Sequence, residues 1–282
     1  MIQARNKLSQ EELSEAKKLI NCCQAYDETY RDPYLSNMLN FDTNMPAFFL
    51  YYEKGELVGL LTVYADDPDV EVAILVHPNH RCQGIARALY RSFEKETASY
   101  PIESVTFQTE RIFLERHPDF ASNWGLVEDE ETETWLGKDR RPYPLANVSN
   151  LEVLLADRSY QDQISQLKFQ AFSEDHESRE VVDRYVAKAL KDPKSILYIL
   201  LKNGQVIGTC TVDLSSNTNY LFGLAIAELE RGKGYGTYLA KSLINQLIEQ
   251  NDKAFQIAVE DSNVGAKRLY EKIGFVKQTQ VV

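Results

Sequence analysis

The sequence predicts an α/β protein made of two tandem domains of the same kind. Two observations lead to this fold class. A block of secondary-structure signals occurs twice along the 282 residues, and each copy interleaves strand and helix patterns. In each copy a hairpin and an apolar strand precede a glycine-rich turn, a helix, a strand, a second helix and a last strand. The prediction is therefore a mixed sheet flanked by helices, formed twice.

Each copy contains a predicted β-hairpin. The segment YYEKGELVGLLTVY (51–64) matches ILLKNGQVIGTCTVDL (199–214) with a constant offset of 149 residues, which aligns Gly55 with Gly204 and Gly59 with Gly208. Asn203-Gly204 is typical of a two-residue hairpin turn, because both residues accept positive φ angles. The sequence therefore predicts two paired strands around each of these turns.

A buried strand and a glycine-rich turn come next in each copy. The apolar runs VEVAILVHP (70–78) and YLFGLAIAE (220–228) are typical of buried strands. They lead into RCQGIA (81–86) and RGKGYG (231–236), which share an Arg-x-x-Gly skeleton with an offset of 150 residues. A helix follows each turn. In the second copy its apolar face is formed by Leu239, Leu243 and Leu247.

The segment between the two copies predicts a linker. LGKDRRPYPLANVSN (136–150) contains two prolines and shows no periodicity. We therefore expect an N-terminal domain at 1–140 and a C-terminal domain at 150–282.

Composition narrows the classes of function. The net charge of −11 disfavours nucleic acid as a partner, because an acidic surface repels phosphates. The sequence contains no run of 18 apolar residues, so no membrane span is predicted. The first residues do not resemble a signal peptide. We therefore expect a cytoplasmic protein without a membrane partner. The four cysteines and four histidines show no metal-ligand spacing, so no metal is expected.

A glycine-rich turn between a strand and a helix is suited to binding an anion. Free backbone N–H groups and the positive end of the helix dipole meet there, and glycine allows a phosphate to approach the backbone closely. Pyrophosphate is the usual ligand of such a turn, although neither the dinucleotide fingerprint nor a nucleoside triphosphate loop is present. In the second copy the candidate residues are Arg231, Gly232, Lys233, Gly234, Tyr235, Gly236 and Thr237.

The second copy contains LAIAELERGKGYGTYLAKSLI followed by VEDSNVGAKRLYEKIGF. On these two segments it closely resembles the GNAT superfamily of N-acetyltransferases. In the second segment, six residues occupy the positions of the family motif: Asn263, Ala266, Leu269, Tyr270, Gly274 and Phe275. The similarity extends over the C-terminal half and, more loosely, over the N-terminal half. It implies two GNAT-like domains, each with a mostly antiparallel mixed sheet and splayed parallel central strands.

The resemblance also implies a cofactor and its contacts. Acetyl-CoA would lie between strand 220–227 and strand 254–260, with its pantetheine arm paired to the backbone at Leu224, Ala225 and Ile226. The glycine-rich turn would hold the pyrophosphate, and Asn263 would reach the pantetheine from the opposite strand. Tyr270 would stand near the sulfur and protonate the departing thiolate, as a positioned phenol can.

The general base and the acceptor site remain open. No carboxylate lies on 219–226, which leaves Tyr220, Asp213, or Glu260 acting through a water molecule, and a structural role suits each of these as well. The acceptor would be a small-molecule amine beside FQAFSEDHESRE (169–180). Its ammonium group could pair there with Glu174, Asp175 or Glu177.

The first copy retains only part of the motif. It keeps the phosphate end, with candidate cofactor contacts at Val76, Arg81, Gln83, Gly84 and Ala86. Aligning NWGL (123–126) with KIGF (272–275) places Ala121 opposite Tyr270 and Leu114 opposite Asn263, and Pro118 interrupts the predicted helix. We therefore expect a single catalytic site, in the C-terminal domain, and a second turn whose occupancy is open.

The sequence thus predicts an acetyl-CoA-dependent N-acetyltransferase. Two alternatives remain: a CoA-binding sensor without catalysis, and an acyltransferase that uses a longer acyl-CoA. Two fused domains fit a monomer that acts as a pseudo-dimer, and a homodimer is equally open.

Overall fold

The computed structural model describes residues 1–146, 148–172 and 179–282, and these form two compact units. Unit 1 comprises Met1–Thr134 and Thr279–Val282, and unit 2 comprises Trp135–Gln278. Each has a mixed sheet flanked by helices, which confirms the predicted fold class. Among the described residues, no helix combines the length and apolar character needed to cross a membrane.

Unit 1 contains a five-stranded sheet in the order β1-β2-β3-β4-β5. All neighbouring strands are antiparallel except β4 and β5, which run parallel. The elements are β1 (Ile2–Arg5), α1 (Gln10–Asp27), β2 (Phe48–Glu53), β3 (Glu56–Tyr64), β4 (Asp69–Val76), α2 (Ile85–Thr97), β5 (Ser104–Phe107), α3 (Arg111–Arg116) and α4 (Phe120–Trp124).

Local sequence signals explain several boundaries in unit 1. Helix α1 begins with a capping box, in which Ser9 and Glu12 satisfy each other's backbone N–H groups. The β2–β3 turn places Lys54 and Gly55 at positive φ, and the turn in unit 2 does the same at Asn203 and Gly204, as the sequence predicts. Helix α2 buries Ile85, Leu89 and Phe93, which recur at helical spacing.

Unit 2 repeats this arrangement with additional strands. Its seven-stranded sheet has the order β12-β6-β11-β10-β9-β8-β7, and β10 and β11 are parallel. The elements are β6 (Glu133–Lys138), β7 (Leu151–Leu155), α5 (Gln161–Phe172), α6 (Arg179–Ala189), β8 (Ser195–Lys202), β9 (Gln205–Asp213), β10 (Asn219–Ile226), α7 (Tyr235–Gln250), β11 (Phe255–Glu260), α8 (Val264–Lys272) and β12 (Val276–Val281).

The boundaries of the units differ from those expected from the sequence. The segment 136–150, expected to be a linker, begins inside β6, which lies between β11 and β12. Trp135 and Leu136 are buried, and Leu136 belongs to the core of unit 2. At the other end of the chain, Thr279–Val282 belong to unit 1, where Thr109 and Val282 exchange two backbone hydrogen bonds. Strand pairing between distant segments carries no periodic signal, so the sequence pattern does not reveal it.

Candidate active site

A wedge opens between the two parallel strands of unit 2. Within the residues that the structure describes, β10 pairs with β11 only where Asn219–Leu221 lie beside Phe255–Ile257. Beyond these residues, the described pairing of β10 is with its antiparallel partner β9. The backbone edge of Leu224, Ala225 and Ile226 therefore faces the wedge. A ligand with amide groups could pair with this edge as an added strand.

The glycine-rich turn follows the end of β10, at the mouth of the wedge, and begins α7. Gly232 and Gly234 have φ angles of 74° and 83°, and a Cβ atom on either would meet no atom within 4 Å. These glycines are therefore required by the backbone conformation and not by packing. Gly234 is the N-cap of α7, and no side chain caps the helix. In the described part of the chain, the N–H groups of residues 232–237 have no acceptor.

The charged side chains of the turn already have protein partners. Arg231 donates from Nε to the carbonyl oxygen of Ile226 at 3.0 Å, which leaves its two terminal nitrogens for an anion. Lys233 donates to the carbonyl oxygen of Leu229 at 2.7 Å and to the Glu230 carboxylate at 3.0 Å. Lys202 pairs with the same carboxylate and lies over the Tyr235 ring. The positive charge expected from Lys233 is thus partly neutralised.

Tyr270 lies on α8, beside the start of α7. The two helices approach closely because Gly236 has no side chain: a Cβ there would lie 3.0 Å from Cδ1 of Leu269. The Tyr270 side chain is buried in the same apolar cluster as Ile226. Burial, and to a smaller extent the nearby Cys210 thiol, raises the pKa of the Tyr270 phenol well above its usual range. The phenol is therefore protonated at neutral and moderately alkaline pH.

Asn263 is the N-cap of α8. Its Oδ1 accepts a hydrogen bond from the backbone N–H of Ala266 at 3.0 Å. The cap explains why asparagine suits this position without any ligand. It occupies the oxygen and leaves the Nδ2 group as a donor at the end of β11.

Two of the three candidate bases have structural roles, and the third is exposed. Asp213 is buried, accepts hydrogen bonds from Ser215, and has a pKa raised by burial. The Tyr220 ring stacks between Trp135 at 5.0 Å and Phe222 at 5.7 Å. Glu260 is exposed at the end of β11. None of them gives evidence of catalytic activation.

The opposite side of β10 carries a feature that the sequence analysis did not predict. Strand β10 contains a β-bulge, in which Gly223 and Leu224 together face the single residue Cys210. Gly223 has a φ of 58°, and the buried Lys168 side chain lies against it. The expected acceptor contacts Glu174, Asp175 and Glu177 lie outside the described residues.

Unit 1 contains the same turn beside a large cavity. Arg81 donates from Nε to the carbonyl oxygen of Val76 at 3.0 Å, and Gly84 begins α2 as an uncapped N-cap with φ 80°. Cys82, with φ 59°, replaces Gly232. The cavity has a volume of about 1360 Å³, and its lining includes Val76, Arg81, Gly84, Ala86, Leu114, Pro118 and Ala121.

Two details distinguish the turn of unit 1. The Arg81 guanidinium forms two short bonds to the Asp27 carboxylate, at 2.7 and 2.6 Å, so less of its charge is available to a ligand. Gln83 is exposed and lies outside the cavity lining. Ala121 leaves space where the sequence alignment places the phenol of unit 2.

Comparisons with known proteins agree with this geometry. Residues 13–138 and 161–275 match the model of the acetyltransferase (GNAT) family. The mycothiol acetyltransferase of Clavibacter sepedonicus is 24% identical over 230 residues, which cover 77% of this chain and 73% of that protein.

Two solved structures share the fold over the whole chain. The GCN5-related N-acetyltransferase from Sphaerobacter thermophilus has a TM-score of 0.70 at 16% identity, with coverage of 100% of this chain and 93% of that one. A tandem GNAT protein from the clavulanic acid biosynthesis pathway has a TM-score of 0.69 at 15% identity, with coverage of 100% and 96%. Fold and site together define an acyltransferase with two similar domains. The chain belongs to the GNAT family of acetyltransferases.

Proposed function

We propose that unit 2 transfers an acetyl group from acetyl-CoA to a primary amine of a small molecule, by direct attack of the amine on the thioester. The observation that carries the proposal is the unpaired row of N–H groups at residues 232–237, placed at the mouth of the wedge between β10 and β11. Such a row, at the start of a helix, is suited to a diphosphate.

Each part of the site has a role in this reaction. The turn and Arg231 bind the diphosphate, the edge of Leu224–Ile226 pairs with the pantetheine amides, and Asn263 donates to the same arm. The amine nitrogen bonds to the carbonyl carbon while the carbon–sulfur bond breaks. Tyr270 gives its proton to the leaving thiolate, water removes the extra proton from the amine, and the Tyr270 phenolate then regains a proton from solvent. No side chain is assigned as the general base.

Replacement of Tyr270 by phenylalanine tests the proposal. Because general acid catalysis typically contributes a factor of about 10²–10⁴, we expect Tyr270→Phe to lower kcat by this order while acetyl-CoA binding is retained. The measurement is thiol release from acetyl-CoA with a panel of amines, beside calorimetric binding. Tyr198→Phe is the matched control, because Tyr198 is also a buried tyrosine of unit 2 but lies on β8. Equal turnover in parent and Tyr270→Phe would remove the phenol from the mechanism.

The pH dependence follows from the raised pKa of Tyr270. The proposed reaction needs the protonated Tyr270 phenol, and this form is lost only when the pH rises above the raised pKa. We therefore expect kcat to stay level or rise between pH 7 and 9.5, as the amine loses its proton. A tenfold fall per pH unit in this range would show that the essential acid titrates well below the usual pKa of a phenol, which would contradict the raised pKa of Tyr270.

Unit 1 is proposed to bind a second CoA moiety without transferring its acyl group. Its uncapped turn and its cavity support binding, and Ala121 in place of a phenol argues against transfer. The test counts acetyl-CoA molecules per chain, with two expected. A glutamate in the first helical turn repels a diphosphate yet suits the helix dipole. Ala86→Glu should remove the acetyl-CoA site of unit 1, and Thr237→Glu should remove the site of unit 2. Binding of a single acetyl-CoA molecule by the parent protein would disprove the second site.

The remaining alternatives are separated by the same assay. Release of thiol with acetyl-CoA but not with octanoyl-CoA would exclude a longer acyl donor, and tight CoA binding without release would favour a sensor. The cytoplasmic location, and the choice between monomer and homodimer, stay predictions.

A further inference from the structure

The two units differ by a single residue in one central strand. In unit 1 the pairing of β3 with β4 is unbroken from Gly59↔Val76 to Tyr64↔Glu71. In unit 2 the corresponding pairs of β9 with β10 shift register between Phe222 and Ala225. Tyr220↔Asp213 corresponds to Glu71↔Tyr64, with an offset of 149 residues on both strands. Ile226↔Gly208 corresponds to Val76↔Gly59, but β10 is now offset by 150. The bulge in β10 is therefore a one-residue insertion.

A buried lysine lies directly over this insertion. Lys168 is 5% exposed, and its Nζ donates to Oγ1 of Thr211 at 3.3 Å and to the carbonyl oxygen of Gly223 at 3.5 Å. Its ammonium group thus bridges the two strands at the bulge. A Cβ on Gly223 would lie 2.5 Å from Nζ, so glycine is needed both for the positive φ and for the space that the ammonium occupies.

The surroundings of Lys168 hold its ammonium in place. The rings of Tyr185 and Phe172 lie 5.3 and 5.9 Å from Nζ, at cation–π distance. In unit 1, the residues that helix α1 buries include no lysine or arginine; they are Ala16, Leu19, Ile20, Cys23 and Asp27. The buried lysine and the bulge thus occur together in unit 2, and both are absent from the described residues of these elements in unit 1.

We propose that Lys168 is a positioning residue for acetyl transfer: its ammonium holds the inserted residue of β10 as a bulge and so fixes which backbone groups of Leu224–Ile226 face the cofactor. A bulge leaves a residue without a ladder partner, and Lys168 supplies a donor to the carbonyl oxygen of Gly223. Without it, the strand can slip by one residue. A slip reverses the direction of every backbone and side-chain group in the segment. This inference rests on the proposed function of unit 2.

The test compares lysine variants by steady-state kinetics on the full chain. Because a misplacement of about 1 Å can cost about a hundredfold in rate, we expect Lys168→Met to lower kcat/KM for acetyl-CoA by at least about tenfold per folded molecule. Lys168→Arg should retain more activity, since it keeps the charge and the donors. Lys191→Met is the control, because Lys191 is an exposed lysine of unit 2. A purely stabilising role would lower the melting temperature and leave kcat/KM of the folded protein unchanged, which would overturn the proposal.

Two further measurements keep the proposal testable if Lys168→Met is unstable. Thr211→Val removes one of the two acceptors of Lys168 found among the described residues without creating a buried charge, and we expect a smaller loss of kcat/KM in the same direction. A crystal structure of Lys168→Met, where that variant folds, should show an altered pairing of β10 with β9, and one of Lys168→Arg should keep the bulge. An unchanged register together with unchanged kinetics would contradict the inference. Absence of transfer by the parent protein on all amines would instead refute the proposed function.

Discussion

The arginine that begins each glycine-rich turn fastens the turn to the strand before it. Arg231 and Arg81 donate from Nε to Ile226 and Val76, the last residues of β10 and β4, both at 3.0 Å. A residue expected to bind phosphate thus also shapes the loop. The two arginines then differ, because only Arg81 is paired with a buried carboxylate, Asp27.

This difference predicts unequal costs of removing the two side chains. Arg81→Leu leaves the Asp27 charge buried without its partner, and because Arg81 itself is partly exposed we expect a loss of about 2–3 kcal/mol in the unfolding free energy of unit 1. Arg231→Leu removes one backbone contact, and we expect a loss of about 1 kcal/mol. Denaturant unfolding of the two variants makes the comparison. Equal losses would show that the Asp27 pair contributes nothing beyond the shared contact.

At the scale of elements, the repeat predicted the hairpins and the helices after the turns, because each has a local signal, whereas the parallel central strands were expected only from the resemblance to the GNAT family. The repeat did not predict the bulge at Gly223, although the offset between the copies changes from 149 residues in the hairpin to 150 at the turn. That change was the available signal. The role of Lys168 had no such signal, because a lysine on an amphipathic helix usually faces solvent.

The last strand offers a test of the observed unit boundaries. Strand β12 contains Val276, which is 68% exposed, and Val281, which is 2% exposed and bridges to Glu110 in unit 1. We expect Val281→Ala to destabilise unit 1 by about 1.5–2.5 kcal/mol, from the lost apolar burial and the cavity left behind. Val276→Ala should change stability by less than about 0.5 kcal/mol. Similar small effects of both would show that the C-terminal residues do not contribute to the core of unit 1.

For the whole molecule, internal duplication explains most of what the sequence reveals. Because the pattern occurs twice, the two copies can be compared with each other. This comparison shows Ala121 in place of a tyrosine, and the added residue in β10, without the sequence of any related protein. The repeat does not show which part of the chain supplies each strand of a sheet. Strand β6 directly follows the first copy in the chain, yet it lies inside the sheet of unit 2. A boundary placed by composition at 136–150 therefore removes a strand from this sheet.

This placement of β6 predicts how fragments behave. A fragment of residues 133–282 retains β6, whereas one of residues 150–282 lacks it and loses the burial of Trp135 and Leu136. The shorter fragment also exposes the edges of β11 and β12, and open edges promote aggregation. We expect cooperative urea unfolding of the longer fragment and aggregation or non-cooperative unfolding of the shorter one.

A peptide of residues 131–141 provides the complementary test. Because an extended peptide can be added to an open sheet edge, the peptide should restore cooperative unfolding to the 150–282 fragment, and its Trp135 fluorescence should report binding. A peptide with Trp135 and Leu136 replaced by serine is the control and should have no effect, because it keeps the backbone pairing but loses the two side chains buried in unit 2. If the 150–282 fragment unfolds cooperatively without any peptide, β6 is dispensable and the second unit begins where composition alone would place it.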